Sequence, residues 1–288
     1  MAANNFILEE EKITYSLVQE KIGEALKSRF SVSLPNATVI EENAFSCADN
    51  LETVIFGKNI KRIEEKAFYY CLSLEKIKLP KGVVIDYIGP SAFESTSLTG
   101  IITNVKEIAQ SAFKNCYHLD FNSKICESIG DEAFAYTAIK KFCAPNIENL
   151  GERLFWGTMI EDVTIGTIKE LPSCTLSGCN NLERLALLDG IETIKRQALF
   201  GISTKELTLP LTLKEIEDVN YLEKTMPIRL AYEGLKPSFF KIAGIQKFLD
   251  SNNIDLNEAQ FADLDFLVNS KKLSLSQVNK IFKNETER

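Results

Sequence analysis

Histidine is almost absent from this chain, and so are the usual signatures of catalysis. His118 is the single histidine in 288 residues, which excludes a metal centre built from several imidazoles. The sequence contains no phosphate-binding G-x-x-x-x-G-K-[ST], no zinc-protease H-E-x-x-H, no nucleophile G-x-S-x-G and no calcium-binding EF-hand loop. We therefore predict no catalytic residue, no metal and no cofactor.

Two further absences narrow the class of partner. No apolar run reaches the roughly 18 residues that a membrane-spanning helix needs, so we predict no membrane span. No cluster of Lys and Arg offsets the formal net charge of −7, which argues against a nucleic-acid partner. The first residues, MAANNFILEEEK, lack the basic start and apolar stretch of a secretory signal. We expect a cytoplasmic protein, or one secreted by a route without a cleaved signal.

The seven cysteines include no C-x-x-C pair. Such a pair would indicate a redox motif or half of a zinc site, and an even number at regular spacing would indicate a disulfide framework. Their odd number and the missing secretory signal instead predict reduced thiols, most of them buried.

One apolar skeleton, by contrast, is abundant. Residues 60–74 read IKRIEEKAFYYCLSL, and an Ala-Phe step in a similar setting recurs along the chain. The anchors are separated by 23, 25, 20, 21, 21, 21, 23 and 22 residues, and the last is a degenerate copy at Tyr221. The first eight anchors form the predicted repeat core: Phe45, Phe68, Phe93, Phe113, Phe134, Phe155, Leu176 and Leu199.

A unit of about 22 residues cannot bury its own apolar face, so we predict that the units stack into a solenoid with one continuous core. Alternating stretches such as DVTI at 162–165 predict short parallel strands on one face. The Ala-Phe segments predict single helical or 3₁₀ turns on the other face. A small residue follows each step. Cys116 occupies that slot, so packing explains it better than a catalytic pair with His118.

The segment IKRIEEKAFYYCLSLEKIKLP at 60–80 resembles the BspA-type leucine-rich repeat, and the resemblance extends over residues 36–216. It implies an α/β repeat: a right-handed leucine-rich-repeat solenoid with short parallel strands on one face, short helical turns on the other, and helical caps. It also implies recognition of proteins without catalysis. Many members look like bacterial surface proteins or microbial proteins that face a host, which favours a bacterial effector acting in a host cell.

Three segments are predicted. Residues 1–35 form an N-terminal cap that contains a helix over residues 14–30, in which Ser16 and Gln19 match a capping box. Residues 36–233 form the solenoid, with about nine repeats. Residues 234–288 have apolar residues at helical spacing and form either a C-terminal helical cap or a small helical module with its own partner.

The predicted docking surface is the outward face of the strands, because residues that alternate with inward aliphatic side chains point out of a sheet. A column of mostly small or uncharged side chains, flanked by charges of both signs, is typical of a protein-binding face. Cys143 is expected to be the most accessible thiol, and Trp156 is predicted to be partly buried on the turn side. The predicted binding residues are Lys76, Lys78, Ile102, Asp120, Asn122, Lys141, Cys143, Asp162, Thr164, Arg184, Ala186, Glu206 and Thr208.

We predict a non-enzymatic, monomeric protein that binds another protein through this face. Two alternatives from other classes stay open. A structural, self-assembling repeat protein would use the solenoid for contacts between copies. An enzyme would have to place its chemistry in the C-terminal segment, which contains neither Cys nor His and therefore excludes thiol or imidazole catalysis there.

Overall fold

The computed structural model describes residues 4–217, apart from 103, 122–124, 203, 205, 209, 211 and 213–214. Over this part the chain winds into a parallel β-solenoid in which each turn contributes two strands. The first strands of the turns have three to six residues and eight of the ten second strands have two, so the two sets are here called the longer and the shorter strands. The longer strands are β1 (Asn4–Ile7), β3 (Phe30–Leu34), β5 (Leu51–Phe56), β7 (Lys76–Lys78), β9 (Gly100–Ile102), β11 (Leu119–Phe121), β13 (Lys141–Ala144), β15 (Asp162–Ile165), β17 (Arg184–Leu187) and β19 (Glu206–Thr208). The shorter strands are β2 (Lys12–Ile13), β4 (Val39–Ile40), β6 (Arg62–Ile63), β8 (Ile85–Ile88), β10 (Val105–Ile108), β12 (Ser128–Ile129), β14 (Asn149–Leu150), β16 (Glu170–Leu171), β18 (Thr193–Ile194) and β20 (Glu215–Ile216).

The strand pairings in the described residues are parallel and join strands of consecutive turns. The longer strands form three sheets, in the orders β1-β3-β5-β7, β9-β11 and β13-β15-β17-β19. The shorter strands run from β2 to β14 in one seven-stranded sheet and continue as β16-β18-β20. The repeat length therefore brings equivalent residues of successive turns side by side, as the sequence predicted.

A column of phenylalanine rings runs through the interior. Phe45, Phe68, Phe93, Phe113 and Phe134 are buried, and their rings lie nearly parallel to one another. Consecutive centroids in this series are 5.2, 5.1, 5.4 and 5.8 Å apart, within the range of favourable offset stacking. The column continues through the buried side chains of Phe155, Leu176 and Leu199.

The Ala-Phe segments are turns, so the predicted helical turn is wrong for the described residues. Ala67 N–H donates to the Glu64 carbonyl within its own turn at 3.3 Å, whereas Phe68 N–H donates to the Ala92 carbonyl of the next turn at 2.8 Å. This alternation requires a left-handed backbone at Lys66 (φ 52°). A residue with positive φ interrupts a right-handed helix, and the amides freed in this way tie the turns together.

A second left-handed position follows each Phe or Leu anchor by two residues. Non-glycine residues occupy it in the earlier turns, and Gly157, Gly178 and Gly201 occupy it in the later ones. Glycine adopts this conformation without steric cost, whereas other residues lose about 1–2 kcal/mol. The earlier residues at this position are Cys47, Tyr70, Ser95, Asn115 and Tyr136.

The N-terminal segment contains a shorter helix than the sequence predicted. Helix α1 spans Tyr15–Lys21, and a 3₁₀ helix follows at Gly23–Lys27. Thr14 caps α1 by accepting a hydrogen bond from Leu17 N–H at 3.2 Å, so the predicted capping role of Ser16 is wrong. The segment predicted as a cap also contributes β1, β2 and β3 to the sheets. The predicted C-terminal segment 234–288 and the anchor at Tyr221 lie outside the described residues.

Candidate functional site

The outward surface of the longer strands, here called the strand face, carries two columns of side chains in β13, β15 and β17. Lys141, Asp162 and Arg184 are paired in register in the first column. The second column, two residues further along each strand, consists of Cys143, Thr164 and Ala186. The residues between the columns point inward and are buried: Phe142, Val163 and Leu185.

Charges on this part of the strand face are balanced between neighbouring strands. Arg184 donates to Asp162 Oδ2 from Nη2 at 2.7 Å and from Nε at 3.3 Å. Lys140 and Glu161, one residue before these strands, form a second cross-strand ion pair at 2.8 Å. Exposed pairs of this kind contribute less than about 1 kcal/mol each to stability. Their main effect is to leave a rim of charged side chains, with a net charge close to zero, beside the column of small side chains.

The strand face also extends over the N-terminal turns, beyond the residues predicted from the sequence. Ile7, Ser33, Ile55 and Lys78 are in register along β1, β3, β5 and β7. Ile7 is 65% exposed and Ile55 is 38% exposed. The parallel neighbouring column contains Asn5, Ser31, Thr53 and Lys76.

A visible sequence signal could have located this extension. Residues 30–34 read FSVSL, and the structure buries Phe30, Val32 and Leu34 while leaving the two serines partly exposed. This is the alternation of a half-buried strand. The first Ala-Phe anchor is Phe45, so β1 and β3 precede every anchor and an alignment on the anchors does not reveal them.

The middle of the strand face departs from the predicted register. Asp120 pairs with Ile101, and Ile102 pairs with Phe121, whose side chain is buried. The predicted column therefore shifts by one residue at Ile102. The shift arises from the spacing between the leucine and the buried strand residue that follows it. Phe121 follows Leu119 by two residues, whereas in other turns the corresponding spacing is three residues.

The remaining predicted surface residues lie at the edges of the described region. Asn122 is outside the described residues. Glu206 pairs with Arg184 and Thr208 pairs with Ala186, so β19 continues the backbone register of both columns.

Three thiols occupy the small-residue slot, and all three are buried. Each donates from Sγ to the carbonyl of the phenylalanine anchor in the preceding turn. Cys71 reaches Phe45 at 3.0 Å, and two further bonds join Cys116 to Phe93 at 3.0 Å and Cys179 to Phe155 at 3.4 Å. Burial raises the pKa of the Cys116 and Cys179 thiols to about 12. These protonated thiols act as packing residues and hydrogen-bond donors.

The buried Cys116 thiol makes alkaline stability a test of this packing. Its folded pKa of about 12 lies above the ordinary value of about 8.5, so its stabilising effect is complete below about pH 8.5 and declines as pH rises towards 12. From about pH 9 to about pH 11, the free energy of unfolding of Cys116→Ala should fall less steeply with pH than that of wild type. The slopes should differ by up to about 1.4 kcal/mol per pH unit. Urea unfolding at each pH measures this slope. Thr137→Ala, which truncates a buried side chain that does not titrate and lies at the same position after its anchor, should keep the wild-type slope. Equal slopes for Cys116→Ala and wild type would contradict the prediction.

The accessible thiols and the single histidine lie elsewhere. Cys143 is exposed on the strand face, and Cys47, which the sequence analysis did not single out, is exposed on the turn side. His118 is exposed, whereas the Cys116 thiol bonds inward to a backbone carbonyl, so the two do not form a catalytic pair. Within the described ranges, no group of three or more His, Cys, Asp or Glu side chains could hold a metal ion.

Trp156 is partly exposed. Its side chain is 43% exposed, and its ring centroid lies 5.9 Å from that of Tyr136 on the turn side. No helix in the described part of the chain is long and apolar enough to cross a membrane.

Comparison with known proteins identifies the repeat. The structure is similar to a leucine-rich repeat protein from Bacteroides ovatus, with 17% identity, 74% of this chain and 76% of that chain covered, and a TM-score of 0.44. It is also similar to the pneumococcal vaccine antigen PcpA, with 18% identity, 75% and 63% coverage, and a TM-score of 0.43. No curated protein matches the chain. The family model of the BspA type leucine rich repeat region matches residues 21–120 and 119–225, and these matches contain 6 copies of the repeat. The chain belongs to the BspA-type leucine-rich repeat family.

Proposed function

We propose that the protein is a non-enzymatic recognition module that binds a protein partner through its strand face, as a bacterial effector or surface-type protein. Leucine-rich repeat proteins typically act in recognition rather than catalysis, which supports the proposal. The observation that carries it is the column of Cys143, Thr164 and Ala186 beside the ion-paired residues of the same strands.

The physical properties of this surface suit a protein partner. Its backbone amides and carbonyls are paired within the parallel sheet, so the surface is rigid and little conformational entropy is lost on binding. Small side chains in the central column let a partner approach the sheet closely. The charges of Asp162 and Arg184 at the flank resemble the polar rim of ordinary protein interfaces.

Charge insertion tests the strand face. Thr164→Arg combined with Ala186→Arg should weaken partner binding by about tenfold or more, because two long cations would occupy the close-approach column. The partner is first isolated on the immobilised wild-type protein from bacterial and host lysates, and its affinity for each variant is then measured by biolayer interferometry.

The matched control places the same two changes on the shorter strands. Ser128→Arg with Asn149→Arg alters neighbouring in-register residues of β12 and β14, of which Asn149 is exposed and Ser128 is half-buried. This control should bind as wild type does. Equal affinity of the strand-face variant and wild type would show that the partner uses another surface.

The two exposed thiols provide an independent measurement. A photoreactive maleimide on Cys143, in a Cys47→Ser and Cys174→Ser background, should crosslink the partner. The same reagent on Cys47, in a Cys143→Ser and Cys174→Ser background, should not crosslink it. Crosslinking only from Cys47 would contradict the proposed face.

A further inference from the structure

The turn side carries most of the large apolar side chains that are exposed within the described ranges. They lie at three positions, one, two and four residues after a Phe or Leu anchor. Their shared position places them on the same side of the solenoid, away from the strand face. These residues are here called the turn-side apolar set: Tyr70, Leu72, Tyr117, Tyr136, Trp156, Met159 and Phe200.

The exposed area of this set is comparable with that of a protein interface. Its side chains are 37% to 62% exposed. At about 200 Å² for one large side chain, the set presents roughly 700 Å² to solvent. A standard interface buries about 800 Å² on each partner. Large apolar area gathered on one side of a protein marks an interaction surface, so the turn side is large enough to bind a second protein chain.

Successive turns are related almost by translation along this side. The rings of neighbouring anchors from Phe45 to Phe155 are inclined to one another by 1° to 9°. Backbone amides two residues after the anchors donate to the next turn at similar lengths, such as 2.9 Å for Tyr70 to Glu94 and 2.8 Å for Tyr136 to Trp156. Equivalent positions of the eight anchored turns therefore form nearly straight rows.

Straight rows allow two copies of the turn side to face each other about a two-fold axis. An axis that runs across the turns, midway between those of Phe113 and Phe134, reverses the order of the turns and keeps the position of a residue within its turn. The turn of Phe45 then lies opposite that of Leu199, and each turn between them meets its counterpart in the same way. Every contact occurs twice, as in other isologous interfaces.

Large side chains lie opposite smaller or polar ones in this arrangement. Two residues after the anchor, Tyr70 meets Gly178 and Tyr136 meets Asn115. No member of the apolar set meets another member, so each large side chain has room against the opposing turn. The pairs at the other two positions are Phe200 with Ser46, Trp156 with Glu94, Leu72 with Asn180, Tyr117 with Ala138 and Met159 with Ser97.

Charges at the two ends of the turn side are complementary as well. Residues 41–49, the turn of Phe45, contain three acidic residues and no cation, whereas residues 195–203, the turn of Leu199, contain two cations and no acid. Three residues before the anchor, the exposed Glu42 of one copy meets the exposed Arg196 of the other. Opposite charges therefore attract at both ends of the pair.

We propose that the turn side binds a second copy of this chain in an antiparallel, two-fold symmetric dimer. Another protein would not require one half of this surface to be complementary to the other half, and that self-complementarity in size and charge is the observation that selects a second copy. The dimer differs from the monomer expected from the sequence. It leaves both strand faces exposed.

Sedimentation equilibrium of the full chain tests the dimer. With rising concentration the wild type should approach twice the 32.3 kDa of one chain. Tyr70→Arg combined with Met159→Arg should raise the dissociation constant by about tenfold or more, because each cation replaces an apolar contact twice in the dimer. Tyr15→Arg with Ile55→Arg changes exposed residues of α1 and the strand face, and this control should dimerise as wild type does.

A charge exchange tests the antiparallel arrangement itself. Glu42→Arg and Arg196→Glu should each weaken the dimer by about tenfold, because like charges then lie opposite each other at both ends. The double variant should restore dimerisation to about the wild-type level. These residues are seven turns apart in one chain, about 34 Å at the usual strand spacing, so restoration requires contact between two copies.

Urea unfolding, at a concentration at which the wild type is monomeric, verifies that each variant keeps its fold. The proposal is overturned if the wild type sediments as a monomer at every concentration, or as assemblies of more than two chains. It is also overturned if Tyr70→Arg with Met159→Arg dimerises as wild type does, or if the double charge variant dimerises no better than the single ones. Thr164→Arg with Ala186→Arg should keep the dimer, so the strand face and the turn side are tested separately.

Discussion

Phe113→Ala is expected to lower the free energy of unfolding by about 3–5 kcal/mol, the range for truncating a buried phenylalanine. The Phe113 side chain is fully buried, with ring centroids 5.4 Å from Phe93 and 5.8 Å from Phe134. Removing it leaves a cavity between two turns whose spacing is held by backbone hydrogen bonds. The cavity therefore cannot close by collapse of the neighbouring turns, which places the cost at the upper end.

Urea denaturation followed by circular dichroism measures this loss. Tyr117→Ala is the control, because it truncates an aromatic side chain four residues away that is 62% exposed, and it should change stability by less than about 1 kcal/mol. A loss for Phe113→Ala no larger than that of Tyr117→Ala would show that the phenylalanine column does not hold the turns together.

Gly57→Ala is expected to cost about 3 kcal/mol, at the upper end of the range for overpacking. A Cβ at Gly57 would overlap the carbonyl oxygen of Pro35 in the preceding turn. Gly57 N–H also donates to the Leu34 carbonyl at 3.0 Å, so the backbone cannot move away without breaking the pairing of β3 with β5. The obstacle is a backbone atom, which has no alternative rotamer.

Gly178→Ala is the matched glycine control. No atom lies within 4 Å of a Cβ placed there, so its cost should be only the strain of a left-handed alanine at φ 78°, about 1 kcal/mol. Thermal unfolding of both variants and wild type gives the comparison. If the two alanine variants have the same stability, close approach between turns at Gly57 is not what excludes a side chain.

The repeat and its core were predictable because the stacking of turns imposes a strict spacing on the sequence. Each turn must place one large apolar residue at the same angular position, and Phe45, Phe68 and Phe113 reveal this with no further information. Parallel strands were predictable for the same reason, since alternating stretches recur at the same offset from each anchor.

The conformation of the Ala-Phe segment was not predictable from its residues. Lys66, Glu132 and Arg153 all adopt positive φ, although these residue types favour helices and carry no turn signal. The surrounding turns override their local preference, because the amides freed by the left-handed backbone bond to the next turn. The helix prediction followed local propensity, and hydrogen bonding between turns decided the outcome.

The candidate surfaces were predictable only in part. Alternation correctly predicted that Lys141 pairs in register with Asp162, and Cys143 with Thr164. It misplaced Ile102, because the turn of Leu119 has one residue fewer before its buried strand residue. The position of the Tyr136 ring beside Trp156 joins two turns and is not visible in the local sequence of either residue.

The measurement that most directly tests the turn-over-turn register is disulfide formation from Cys143, with Cys47 and Cys174 replaced by serine. Thr164 is the in-register partner of Cys143 on the neighbouring strand, at a Cα spacing of about 4.8 Å that a disulfide can bridge. Ala186 lies one strand further, about 10 Å away, beyond disulfide reach. Mass spectrometry after mild oxidation should find the crosslink in Thr164→Cys and not in Ala186→Cys. A crosslink in Ala186→Cys with none in Thr164→Cys would contradict the stacked solenoid.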